Sequence, residues 1–253
     1  MEEAYQILQY LPNRFKQRDE QEYIKFLWDA FESNYQNEKY QFAFIAYHML
    51  FMSFVYFTIW QIKSVRAGDF DKIKLGFHNN LGNAQNPFGF SIENESKVFN
   101  LLKYLCNSHS DVESLIGQYK RLVKERNDIA HASGNMPFRT ESYLQSRLND
   151  IIRYVAEIQE FSKPVIEECF TKFLIESQDE EERQYSIIEE QIKEVLIHEH
   201  YLSQKDIEIC LDFDITTLSD QENYPEIERI FEILRNEYAE QTTRPHCRAA
   251  IPR

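Results

Sequence analysis

Apolar residues recur at three- and four-residue spacings through most of this chain. The pattern predicts helices over residues 20–35, 38–66, 94–107, about 111–130 and 140–177. Ser110 and Glu113 have the spacing of a capping box that opens the fourth of these, and Pro164 is a candidate kink in the fifth. QDEEER at 178–183 is a charged break, after which shorter amphipathic helices are expected at 184–197, 204–211 and 224–239. The stretch from Gln41 to Ile62 carries no charged residue and is long enough to cross a bilayer. His48, Ser53 and Gln61 interrupt it, its aromatic residues fill the middle rather than the two ends, and no second such segment exists. A fully buried core helix is therefore the expectation, with a membrane-anchored protein as the alternative. Residues 76–90, rich in Gly and Asn, read as a long loop, either a tolerated insertion or a substrate contact. The final TTRPHCRAAIPR has no periodicity and is expected to be disordered.

Composition narrows the fold class. A chain of 253 residues can be one large domain or one domain with an appendage. Forty-three per cent hydrophobic content, with 19 Phe and 15 Tyr, is enough for a packed core, and only 6 Gly and 7 Pro favour long helices over many short strands. The expected fold is all-α: a helical bundle over residues 1–177, an acidic helical appendage over 178–241 and a disordered tail over 242–253. Cys106, Cys169, Cys210 and Cys247 are widely spaced and match neither a zinc pattern nor a dense disulfide framework, so a reducing cytosol is expected. The acidic start MEEAYQILQY lacks the layout of a signal peptide. The net charge of −14 is uneven: residues 1–175 hold 20 Lys+Arg against 22 Asp+Glu, and residues 176–253 hold 8 against 20. The acidity belongs to the C-terminal third, which leaves the rest able to carry a local basic face.

The most informative residues are Arg126-Asn127-Asp128-Ile129-Ala130-His131. The apolar stripe of Val112, Leu115, Ile116, Tyr119, Leu122 and Val123 continues at helical spacing to Arg126, where an apolar residue is expected. A charge there needs a reason. Arginine can grip a phosphate with two parallel hydrogen bonds, and histidine moves protons near neutral pH. Together, without a metal, they are the minimal kit for cutting RNA through its own 2′-hydroxyl. On a regular helix His131 is rotated roughly 140° from Arg126. Either the helix distorts near Gly134 and Pro137, or two chains each lend groups across a symmetric interface.

R-N-D-I-A-H, within the basic helix QYKRLVKERNDIAHASG and preceded by an aromatic-rich core helix, resembles the Arg, polar residue, three residues, His signature of the HEPN superfamily (higher eukaryote and prokaryote nucleotide-binding domains). The resemblance covers roughly residues 20–175. It implies a four- or five-helix bundle that dimerises through the motif helix, and a metal-independent RNase of toxin–antitoxin, abortive-infection or CRISPR type. By the same resemblance Arg126 stabilises charge on the scissile phosphate, His131 acts as general base or acid, and Asn127 orients one of these or the phosphate. The implied products are a 2′,3′-cyclic phosphate and a 5′-hydroxyl. Asp128 has no implied role and either faces solvent or pairs with Lys124.

Other residues are read beside this motif. Lys120, Arg121, Lys124 and Arg139, with Arg147 and Arg153, are candidates to hold the RNA backbone, or else form an ordinary solvated face. Tyr119 belongs to the core stripe. His48 reads as a buried, hydrogen-bonded histidine. His198-Glu199-His200 has a spacing that points two imidazoles apart on a helix, so no metal ligand is assigned and no cofactor is expected. The bland reading of Arg126 and His131 is a helix end whose basic groups meet the last carbonyls. The expectation is a cytoplasmic, homodimeric endoribonuclease of bacterial defence or toxin type. Its partners would be RNA and an antitoxin or defence protein at the acidic C-terminal region, with no membrane. The alternative is a non-catalytic helical protein- or nucleotide-binding module.

Overall fold

The charge-free stretch becomes α2, Tyr40–Val65, and the rest of the bundle is arranged around it. The structure, a computed structural model, describes residues 1–74, 77, 81–103, 112–131 and 138–243. A 3₁₀ helix at Glu3–Tyr10 precedes α1, Arg18–Gln36, which Glu20 opens by closing a reciprocal cap with Gln17. After α2 come α3, Ala67–Ile73; α4, Glu95–Leu101; α5, Val112–Ala130; and α6, Glu141–Ser177, which passes through Pro164. Then follow α7, Ile188–Gln191, running on into π-helical turns at Ile192–His198; α8, Gln204–Leu211; and α9, Tyr224–Thr243. Short 3₁₀ turns stand at Leu81–Asn83, Pro87–Ile92 and Ile215–Leu218. Among the described residues there is no strand, only an isolated bridge between Pro12 and Ser203, so the fold is all-α. The second half of the expected 76–90 loop is therefore two tight turns. Ser110 of the expected capping box, Cys106, Cys247, Gly134, Pro137 and nearly all of the expected tail lie outside the described residues.

Helix α2 is buried over 83% of its most apolar window, sandwiched chiefly between α1 and α6. Its smaller polar groups are satisfied within the helix: Ser53 Oγ donates to the Met49 carbonyl at 2.8 Å and Thr58 Oγ1 to the Phe54 carbonyl at 3.1 Å. Among its larger polar side chains, His48 and Gln61 reach out to carboxylates on other helices, and Tyr47 donates its hydroxyl to the Ala4 carbonyl at 2.9 Å. Phe44, Tyr47 and Phe51 of α2 and Phe31 of α1 are fully buried. Complete burial of one such side chain stabilises the fold by roughly 2–3 kcal/mol.

Two apolar cores share the long helix α6. Leu144 to Val165 pack on the core built around α2; Ile166 to Leu174 pack on a second core with α7, α8 and α9. The change of core thus falls inside a continuous helix, ahead of the charged break. Polar contacts join the two parts. Asp206, fully buried, accepts from Gln61 Nε2 of α2 at 3.1 Å, from Gln159 Nε2 of α6 at 2.6 Å, and from Ser203 N and Oγ at 2.8 Å each. Burial raises its carboxyl above the usual range even against these donors. Tyr201, held at φ 53°, donates its hydroxyl to both oxygens of buried Glu20 at 2.9 and 3.0 Å. A left-handed conformation is costly for a bulky side chain, and here the fully packed ring and its hydrogen bonds hold it.

Candidate functional site

Glu95 is the first residue of α4. Asn94 caps that helix through Oδ1, which accepts from Ser96 N at 2.9 Å, so Glu95 sits where the helix dipole favours a negative charge. Its Oε2 meets Nε2 of His48 at 3.0 Å, and its Oε1 forms an ion pair with Nη2 of Arg126. Three helices therefore converge on one carboxylate. His48 is fully buried, and its Nδ1 has no polar partner among the described residues. Burial pushes the Glu95 carboxyl up, but the hydrogen bonds and charges of His48 and Arg126 outweigh it and hold the pKa at about 2.

The apolar stripe of α5 explains why Arg126 arrives there. Ile116, Tyr119, Leu122 and Val123 are buried, and Arg126 follows on the same side one turn later. The stripe aims a guanidinium inward, and Glu95 is the group that receives it. The Arg126 side chain keeps 26% of its surface exposed because a cavity of about 710 Å³ opens beside it. Asn127 also lines this cavity. Its apolar wall comes from Tyr23, Met49, Met52, Tyr56 and Phe88, and its other carboxylates are Asp19, Glu20 and Glu93.

His131 takes another direction. The helix stays regular to that point, since His131 N donates to the Asn127 carbonyl at 2.9 Å. The exposed imidazole lies about 140° around the helix axis from Arg126 and is absent from the cavity lining. It shares the exposed side of α5 with Gly117, Arg121 and Lys124. A Cβ at Gly117 would meet nothing within 4 Å, so this side is open. One chain thus gathers Arg126 and Asn127 at the cavity and leaves His131 outside it. No distortion of the helix is seen up to His131, and Gly134 and Pro137, where one was expected, lie outside the described residues.

The remaining candidates separate by their contacts. Lys120 donates to Asn100 Oδ1 at 3.0 Å, Arg121 and Lys124 are exposed on α5, and Arg139 is exposed just before α6. Arg147 pairs with Asp150 at 2.6 Å and with Glu125 of α5 at 3.4 Å, so it ties α6 to the motif helix, while Arg153 pairs with Asp150 at 3.2 Å and Glu157 at 3.4 Å and braces its own helix. Tyr119 is fully buried in the core. His198 places Nδ1 on Glu194 at 2.7 Å and Nε2 on the Phe15 carbonyl at 2.8 Å, which occupies both ring nitrogens. Burial pushes the neighbouring His200 down to about 4.

Glu95, the centre of the cluster, escapes a reading of the sequence. It opens a two-turn helix with too little periodicity to single it out. The available signal was His48: a histidine inside a charge-free buried helix needs a polar partner from elsewhere in the chain. Comparison of the chain with protein-family models, with characterised proteins and with solved structures finds no match.

Proposed function

We propose that this protein is a metal-independent endoribonuclease of the HEPN type that works as a homodimer. The observation that carries the reading is the placement of Arg126: a guanidinium delivered by an apolar stripe to the edge of a roomy cavity, with Asn127 beside it and Glu95 fixing its orientation. A guanidinium has five N–H donors in a rigid fork, so Glu95 can hold one while others meet phosphate oxygens. In this reading Arg126 stabilises the charge developing on the scissile phosphate. His131 from the partner copy takes the 2′-hydroxyl proton or supplies one to the leaving 5′-oxygen, and Asn127 orients the phosphate. The bond from the 2′-oxygen to phosphorus forms as the bond to the 5′-oxygen breaks, leaving a 2′,3′-cyclic phosphate and a 5′-hydroxyl. The exposed side of α5, open at Gly117 and basic at Arg121 and Lys124, is the surface on which a second copy and the RNA backbone would meet. The proposed setting is the bacterial cytosol, in a toxin or anti-phage system, with an antitoxin or defence protein engaging the acidic C-terminal region.

A second reading has an observation of its own. Four carboxylates line the cavity, one of them paired with Arg126, and His131 stands apart in the single chain. That arrangement suits a module that binds a ligand or a partner without cutting RNA. Incubation of the protein with RNA in EDTA, beside Arg126→Ala and His131→Ala, separates the two. The ribonuclease reading expects cleavage in EDTA that falls about 10²–10³-fold in each variant. Cleavage equal in all three proteins removes both residues from the site, and no cleavage by the unaltered protein favours the binding module.

A further inference from the structure

We propose that the cavity beside Arg126 is a nucleobase subsite that takes one unstacked guanine of the RNA, an assignment that rests on the ribonuclease reading for the phosphate at Arg126. The cavity, at about 710 Å³, is in the size range of sites that enclose small organic ligands. Tyr23, Tyr56 and Phe88 wall it, with Tyr23 and Phe88 crossing edge-to-face at 5.2 Å and the thioethers of Met49 and Met52 nearby. Aromatic walls of this kind hold bases that have left a stack. A base drawn in here belongs to a nucleotide whose phosphate lies at the rim, where Arg126 and Asn127 stand.

The polar groups select among bases. Glu95 is occupied by His48 and Arg126, Glu20 by Tyr201 and the Gln17 N–H at 3.2 Å, and Glu93 is buried and already engaged within the fold. Asp19, exposed in the first turn of α1, has no hydrogen bond or ion pair to another described residue. Asn86 and Asn94 spend their side-chain oxygens on Gly89 N at 3.1 Å and Ser96 N at 2.9 Å, which leaves their N–H₂ groups as donors. The cavity therefore presents a carboxylate acceptor together with amide donors. Guanine matches both: its adjacent N1–H and N2–H₂ can donate side by side to one carboxylate, while O6 accepts from an amide. Adenine and cytosine alternate a donor with a lone pair on that edge. Uracil sets a carbonyl on each side of its one N–H. Each of these three turns a lone pair toward the carboxylate.

The test is calorimetric binding of the four nucleoside 3′-monophosphates to the full chain and to Asp19→Asn, beside mapping of cleavage sites in a random-sequence RNA. The expected result is guanosine 3′-monophosphate binding about tenfold or more tighter than the other three, with that advantage lost in Asp19→Asn. Cleavage then maps next to guanine in the unaltered protein. Equal binding of all four, or binding of none, overturns the subsite, and so does a guanosine preference that Asp19→Asn leaves unchanged. Cleavage without base preference also overturns the subsite while leaving the ribonuclease reading in place. Guanosine selectivity lost in Asp19→Asn, in a protein that cuts no RNA, upholds the subsite and removes the ribonuclease reading.

Discussion

Helix α2 grips two carboxylates, and the two meet opposite fates. His48 holds Glu95 beside the cavity, and Gln61 holds Asp206 where the two cores join. Each acid stands in the first turn of a short helix. Glu95 keeps 20% of its side chain exposed, faces a cavity, and is held by His48 and by a cationic donor in Arg126; its pKa falls to about 2. Asp206 is sealed among neutral donors, and its pKa rises. At Asp206 neutral amide and hydroxyl donors do not outweigh the loss of water around the charge, whereas at Glu95 the histidine and the guanidinium together do. A sealed carboxylate with neutral partners joins parts of a fold. An open one with a charged partner keeps a reactive group in place where a ligand can reach it.

Breaking the sealed cluster has the larger effect on folding. Asp206→Ala strips two buried amides and the N–H of Ser203 of their acceptor, and the expected loss is about 3 kcal/mol or more in urea unfolding. A loss under about 1 kcal/mol means that water or a shifted side chain replaces the carboxylate, and the comparison fails. Arg126→Ala, acting on a partly exposed ion pair, is expected to change stability by about 1 kcal/mol while abolishing most cleavage.

A smaller effect, opposite in sign at the two sites, appears against pH. Glu95 titrates lower in the fold than its ordinary 4.5, so its contribution is complete above pH 4.5 and is lost as pH falls toward about 2. Glu95→Gln should flatten that part of the stability profile. Asp206 titrates above its ordinary 3.8, so the folded state binds its proton more tightly than the unfolded state does, and stability declines as pH rises above 3.8. Asp206→Asn should remove that decline. Thermal unfolding midpoints recorded across the acid range check both, and profiles that shift in the same direction contradict the assignment of opposite proton affinities.

Much of the fold was legible because the informative patterns are local. The charge-free run announced a buried α2, and the stripe of α5 announced both that helix and the anomaly at Arg126. Helix ends moved by a few residues, as caps and frayed turns do. The 3₁₀ segment at Glu3–Tyr10 departs from the 3.6-residue period and left no matching signal, whereas the π-helical turns at Ile192–His198 fall largely within the helix expected at 184–197. The site was legible only in part. Arg126 and Asn127 were marked by their neighbours on one helix, but the Glu95–His48 contact joins distant stretches, and neither residue alone announces the other. The division of the chain at 178 reflects the charge break, whereas packing changes within α6, where both sides of the transition are equally apolar.

The central claim is that a guanidinium and an imidazole from two copies serve one phosphodiester. Mixing Arg126→Ala protein with His131→Ala protein under subunit exchange tests it directly. A mixed dimer holds one site with both groups intact, so the mixture should recover about a quarter of the unaltered cleavage rate from two inactive parents. Activity that stays at the level of the inactive parents, with mixed dimers demonstrated in the same sample, would contradict a site shared between chains.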